Sequence, residues 1–163
     1  MSSKVNDMIL TNNTRVYEKY GWLWYLALGL LWLVVGLSQL STPDVLLEGD
    51  AQHITGMSLS ELGASSPEAF KLILWLYMGL GNLKISWSLL VIAITLTDYR
   101  KGEKWAWYTL WLVPVILVSS AIYNIYFFGD VSEALQWIPI TFLSIVGLLV
   151  PYRKFFPLPN PGA

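Results

Sequence analysis

No cysteine occurs among the 163 residues of this chain. Disulfides, thiolate nucleophiles and Cys-ligated zinc or iron–sulfur centres are therefore excluded. One histidine, His53, excludes a bis-His haem held by this chain alone. Charge is scarce too: 13% of residues are charged, against about 25% in a typical soluble domain. The net charge of −1 leaves no basic excess, so nucleic acid is not an expected partner. The alternating ten-residue strands of a transmembrane barrel are also missing.

Apolar and aromatic residues fill the space. Hydrophobic residues make up 55% of the chain, with nine Trp, nine Tyr and six Phe. Four apolar runs, at about 20–40, 70–97, 105–128 and 134–150, approach or exceed the roughly 20 residues that a helix needs to cross a bilayer. Lipid tolerates no open sheet edge, so the expected fold is all-α: one integral membrane domain over 1–163, built as a four-transmembrane-helix bundle. Ser66, Pro67 and Glu68 mark the start of the second run, as N-cap, first helical residue and first-turn acid. Pro114 is expected to kink the third. The polar first twenty residues and the lack of a cleavage site after them read against a signal peptide.

Charge asymmetry predicts orientation. Lys4, Arg15, Lys19, Arg100, Lys101, Lys104, Arg153 and Lys154 are eight of the ten basic residues. All fall on one side of the four-span layout, the cytoplasmic side by the positive-inside rule, which makes the chain N-in and C-in. The other connections carry Asp44, Glu48, Asp50, Glu61, Glu68, Asp130 and Glu133, seven of the eleven acids. The Asn12-Asn13-Thr14 sequon falls on the wrong side for glycosylation. Residues 41–67 form a 27-residue external loop, with a short helix expected over Ser58–Leu62. Its Val45, Leu46, Leu47, Ile54, Met57, Leu59 and Leu62 suggest a lid on the bundle. The ending FFPLPNPGA reads as an extended tail.

Lys84 is the most informative residue. It stands 14 positions before Asp98, hence about 21 Å above the cytoplasmic boundary and inside a core about 30 Å thick. Helical spacing puts it on a face with Tyr77, Gly81, Ser88 and Thr95, with Asn82 to one side. At the same level the other spans bring Ser38, Gln39, Ser119, Ser120, Asn124, Gln136 and Thr141. The expectation is a polar pocket in the outer half of the bundle, lined by Lys84, Asn82, Ser38, Gln39, Ser120, Asn124 and Gln136. A buried lysine needs a partner; Glu68, Asp130, Glu133 or an anionic ligand would serve. The competing reading is a lysine that snorkels to the headgroups beside interhelical hydrogen bonds.

Tyr25, Gly29, Trp32, Gly36 and Gln39 form a stripe on the first span, where glycines permit close helix approach. Trp22, Trp24, Trp105, Trp107 and Trp137 read as interfacial anchors, and Trp32, Trp75, Trp87 and Trp111 as packing residues. His53 and Asp50 are three residues apart, but an ordinary surface histidine is the better reading, and no metal site is expected.

The run Asp98–Pro114, DYRKGEKWAWYTLWLVP, resembles the junction between the second and third spans of small bacterial four-helix membrane proteins loosely grouped as DoxX-like. The resemblance covers the basic turn with its tryptophans, the Leu-Trp-Leu-Val-Pro run and the four-span layout. It implies a prokaryotic cytoplasmic membrane and service beside a larger membrane complex. Some DoxX-like proteins are subunits of oxidoreductases acting on sulfur compounds and quinones, but no catalytic residue carries across. The sterol-isomerase and sigma-2-like family fits less well, because its intramembrane acids are missing here.

Two functions follow. The first is a non-catalytic accessory subunit, not an enzyme, whose partners are membrane lipids and other membrane protein subunits. The alternative is a bundle that binds a lipid, quinone or other small amphiphile near Lys84. No cofactor is expected within the chain itself, apart from such a bound lipid or quinone.

Overall fold

The computed structural model describes residues 20–129 and 131–157, without the side chains at 128 and 132–134. The N-terminal basic residues, the sequon, Asp130, the Glu133 side chain and most of the proline-rich tail lie outside this description. The described residues are helical throughout, with no strand. In chain order the elements are α1 (Trp22–Ser41), α2 (Pro43–Thr55), α3 (Leu59–Ser65), α4 (Pro67–Ile94), a π turn (Thr95–Tyr99), α5 (Lys104–Leu110), α6 (Leu112–Phe128), α7 (Val131–Leu149) and α8 (Tyr152–Phe155). Three stretches are long and apolar enough to cross a membrane: Trp22–Ser41, Pro67–Tyr99 and Lys104–Phe127. A shorter apolar helix covers Leu135–Leu149.

The chain divides into two compact units, Leu26–Ala93 and the segments that flank it. In the central unit, α1 and α4 run antiparallel along a glycine seam. A Cβ on Gly29 would stand 2.7 Å from Ile92 Cγ1, and one on Gly36 would stand 3.0 Å from the Gly81 carbonyl oxygen. A Cβ on Gly81 would in turn meet Gln39 Cβ at 3.0 Å and the Gly36 oxygen at 3.2 Å. Lipid is as apolar as leucine, so burial adds little drive between helices there; close backbone approach provides the dispersion contact instead. Ser88 faces inward two turns past Gly81, its hydroxyl donating to the Lys84 carbonyl at 2.6 Å.

α1 is about 30 Å long and α4 about 42 Å, so α4 outruns it. The surplus is covered. Leu47 and Ala51 of α2 and Leu59 of α3 form a buried cluster against Phe70, Ile73, Leu74 and Tyr77 of α4. The segment expected as a loop with one short helix thus contains two helices. Pro43 opens α2, Asp44 sits in its first turn, and Gly56 closes it in the left-handed conformation at φ 69°. Ser58 caps α3 through a capping box with Glu61, and Glu48 of α2 accepts from the Leu59 amide at 2.9 Å. Two short helices are thereby tied to each other and to α4.

In the flanking unit α6 and α7 form an antiparallel hairpin closed by Gly129 at φ 66°. α5 and α6 are separated at Trp111, one turn before Pro114. Pro114 cannot donate to the Leu110 carbonyl and its ring crowds that group, so the hydrogen-bond ladder is interrupted there while the backbone stays helical through Trp111 at φ −62° and ψ −20°. The Trp111 amide donates three residues back, to Tyr108 at 3.2 Å, tightening the turn. Three aromatic side chains clasp the end of α7: Tyr25 donates to the Ser144 carbonyl at 2.6 Å, Tyr99 to Gly147 at 2.7 Å and Trp107 Nε1 to Leu148 at 3.0 Å. Trp107 is therefore interior, not an interfacial anchor, because its indole satisfies a backbone carbonyl. Trp75 departs the other way: it is 70% exposed and packs little within the chain.

Candidate polar site beneath the lid

The central unit brings Gln39 and Tyr77 together at the covered end of the α1–α4 seam. Gln39 and Tyr77 occupy facing positions because the helices are antiparallel: Gly36 meets Gly81, and Gln39 lies one turn beyond. The Gln39 amide faces the Tyr77 hydroxyl. Gln39 is 2% exposed, and its Oε1 is buried without a hydrogen-bond partner. Whichever way the amide turns, one hydroxyl satisfies only one end of it. A buried polar atom left without a partner costs roughly 1–3 kcal/mol.

Lys84 lies two turns below Tyr77 on the same face. Its ammonium stands 5.7 Å from the centre of the Trp32 ring of α1, a cation–π arrangement. The Asp50 carboxylate of α2 acts on both Tyr77 and Lys84 through space. Asp50 reaches this position because its neighbours Leu47 and Ala51 dock α2 on Tyr77 and the turns before it. Glu68, one of the carboxylates considered for Lys84, instead pairs with Lys71 at 3.6 Å on the exposed first turns of α4. A phenol and an amide thus lie beneath one short amphipathic helix, with an ammonium further along the same face of α4 and an exposed carboxylate on the covering helix itself.

The remaining expected residues divide. Ser38 is half-buried beside Gln39, and its carbonyl accepts from the Thr42 amide at 2.9 Å, ending α1. Asn82 is exposed: it stands one residue past the Gly81 face, about 100° round the helix. Ser120 and Asn124 belong to α6, in the flanking unit, where both are half-buried; Gln136 of α7 is exposed. Asp50 and Tyr77 were not among the expected site residues. Tyr77 was visible on the Lys84 stripe, whereas Asp50 is brought in only by the tertiary docking of α2. No group of three or more His, Asp or Glu side chains that could hold a metal occurs among the described residues.

Comparison with protein-family models, with curated proteins and with solved structures finds no match to this chain.

Proposed function

We propose that this is an integral membrane protein of four spans, with both termini in the cytoplasm. In this reading it holds the polar end of a small amphiphile, a lipid or a quinone, beneath the α2–α3 lid. One observation carries the reading: the unpartnered, fully buried Gln39 oxygen beside Tyr77. Such an atom is expensive in an apolar seam unless a donor reaches it in the working state. A hydroxyl or protonated ring oxygen would supply that donor when α2 lifts, and Lys84 would take an acceptor of the same molecule. α7 supplies the fourth crossing, since its 19 residues measure about 28 Å. The orientation is supported by Lys154, whose ammonium meets the Arg100 carbonyl, so two basic segments share one end of the flanking unit.

The test is native mass spectrometry of the full chain purified from membranes in mild detergent. A defined amphiphile should remain bound to the wild type and be lost from both Lys84→Met and Gln39→Leu. A wild type that carries none, or variants that keep it equally, would refute the proposal.

A second reading, service as a non-catalytic accessory subunit, is favoured by the sparse interior. Only 22–28% of each long apolar window is buried, leaving wide surfaces for neighbouring subunits as well as lipid. Co-purifying chains in stoichiometric amount would support it.

A further inference from the structure

The Asp98–Lys104 turn meets α8 at one end of the flanking unit. Lys154 Nζ donates to the Arg100 carbonyl at 2.5 Å, and a Cβ on Gly102, at φ 90°, would stand 3.4 Å from the Lys154 stem. The Arg100 guanidinium lies over Trp22 at 4.9 Å, and the Lys104 ammonium over Phe156 at 5.4 Å. Phe156 is itself stacked on Tyr152 at 4.8 Å and edge-on to Trp107 at 5.3 Å. The cations are thus held on a rigid aromatic shelf.

Their charge is not balanced locally. Among the described residues, Arg100, Lys101, Lys104, Arg153 and Lys154 stand near two acids in sequence, Asp98 and Glu103. Asp98 already has Lys101 beside it at 3.9 Å. Partial burial and the neighbouring Arg100 guanidinium both hold the Lys154 ammonium below the usual lysine range. Directly beneath Lys104, Tyr108, Leu112, Val115 and Ile116 continue at helical spacing, and all are exposed. A cationic collar therefore leads into an outward apolar track about 18 Å long along α5 and α6.

We propose that this collar and track bind one anionic phospholipid, its phosphodiester held by Arg100, Lys104 and Lys154 and an acyl chain lying along Tyr108, Leu112 and Ile116. The charge excess selects a net-negative headgroup. A zwitterionic lipid would bring its own cation into a site already rich in them. The site is independent of the cluster around Lys84.

The test uses the full chain in detergent with phosphatidylglycerol, phosphatidylcholine or phosphatidylethanolamine added singly, with retention read by native mass spectrometry. Phosphatidylglycerol should be retained at least tenfold better than either of the others. Each cation near an anionic lipid changes affinity by about fivefold, so Arg100→Gln/Lys104→Gln/Lys154→Gln should lose on the order of a hundredfold. Gln keeps a donor for the Arg100 carbonyl at position 154 while removing the charge. Lys104→Gln alone, at an exposed position, should lose about fivefold and serves if the triple variant does not fold. Lys71→Gln, at an exposed lysine of α4 outside both sites, should leave retention unchanged. Equal retention of all three lipids, or of phosphatidylglycerol by wild type and the Lys104 variant, would overturn the site. Displacement by equimolar glycerol 3-phosphate would overturn the lipid assignment in favour of a soluble phosphate.

Discussion

A lysine inside an apolar helix is tolerated only when something receives its charge. Lys84 has the Trp32 ring at 5.7 Å and the Asp50 carboxylate above it, and both lie on elements other than its own. Lys84→Met should therefore leave the fold intact, since the methionine stem still packs and about 2.5–3.5 kcal/mol of insertion cost disappears. The same change should abolish retention of the bound amphiphile. Lys84→Arg keeps the charge and can stack on the Trp32 ring, so it should lose less of that retention than Lys84→Met. Thermal melting and native mass spectrometry of the two variants, measured together, separate these effects. A second residue-scale prediction concerns the lid. Hydrogen bonds from Ser58 hold the Glu61 carboxyl below its usual range. A depressed carboxyl stabilises the fold above its unfolded value and ceases to do so as pH falls through its folded one. Amide exchange in α3 should consequently rise as the solution is acidified through the carboxylate range. Ser58→Ala should destabilise α3 at neutral pH as well, by about 1 kcal/mol. Exchange that ignores pH and the cap would contradict the arrangement.

At the scale of elements, glycines divide by what surrounds them. Gly36 lies against the Gly81 carbonyl, so Gly36→Leu should force α1 and α4 apart and cost about 3 kcal/mol or more. Leu31→Ile, on the exposed face of the same helix, should be nearly silent. Gly49 of α2 has open space around it; Gly49→Ala should stabilise the lid by about 1 kcal/mol through helix propensity. Melting temperatures of the three variants test the division. Much of this was legible beforehand. The glycine stripe, the interrupted ladder before Pro114, the helix start at Pro67 and the short helix capped by Ser58 all follow from local chemistry. α2 was not foreseen, although Pro43, Asp44 and Gly56 are ordinary start and stop signals. Its polar face and central Gly49 weaken the periodic pattern, and its stability comes from docking Leu47 and Ala51 on α4. That docking is also why Asp50 was missed as the neighbour of Lys84. Sequence spacing reports which residues share a helix face, but it does not report which distant helix lies above that face. Trp107 illustrates the same limit: proximity to a span end suggested an anchor, whereas a carbonyl of α7 draws it inside.

At the scale of the whole molecule, the proposed orientation is open to direct labelling. The chain has no native cysteine, so each introduced one reports a single position. Cysteines replacing Asp50 or Ser65 should label from outside intact cells, and one replacing Arg100 should be protected. The reverse pattern would place the lid in the cytoplasm. The most direct test of the central claim compares thermal melting of wild type and Gln39→Leu, delipidated and then supplied with total lipid extract from the source membranes. Removing an amide whose oxygen is buried and unpartnered should make the delipidated variant melt higher than wild type. Adding the extract should then raise the melting temperature of wild type well beyond that of the variant, because only the wild type retains the Gln39 acceptor. Equal responses to lipid, or a delipidated variant less stable than wild type, would contradict a ligand site at Gln39.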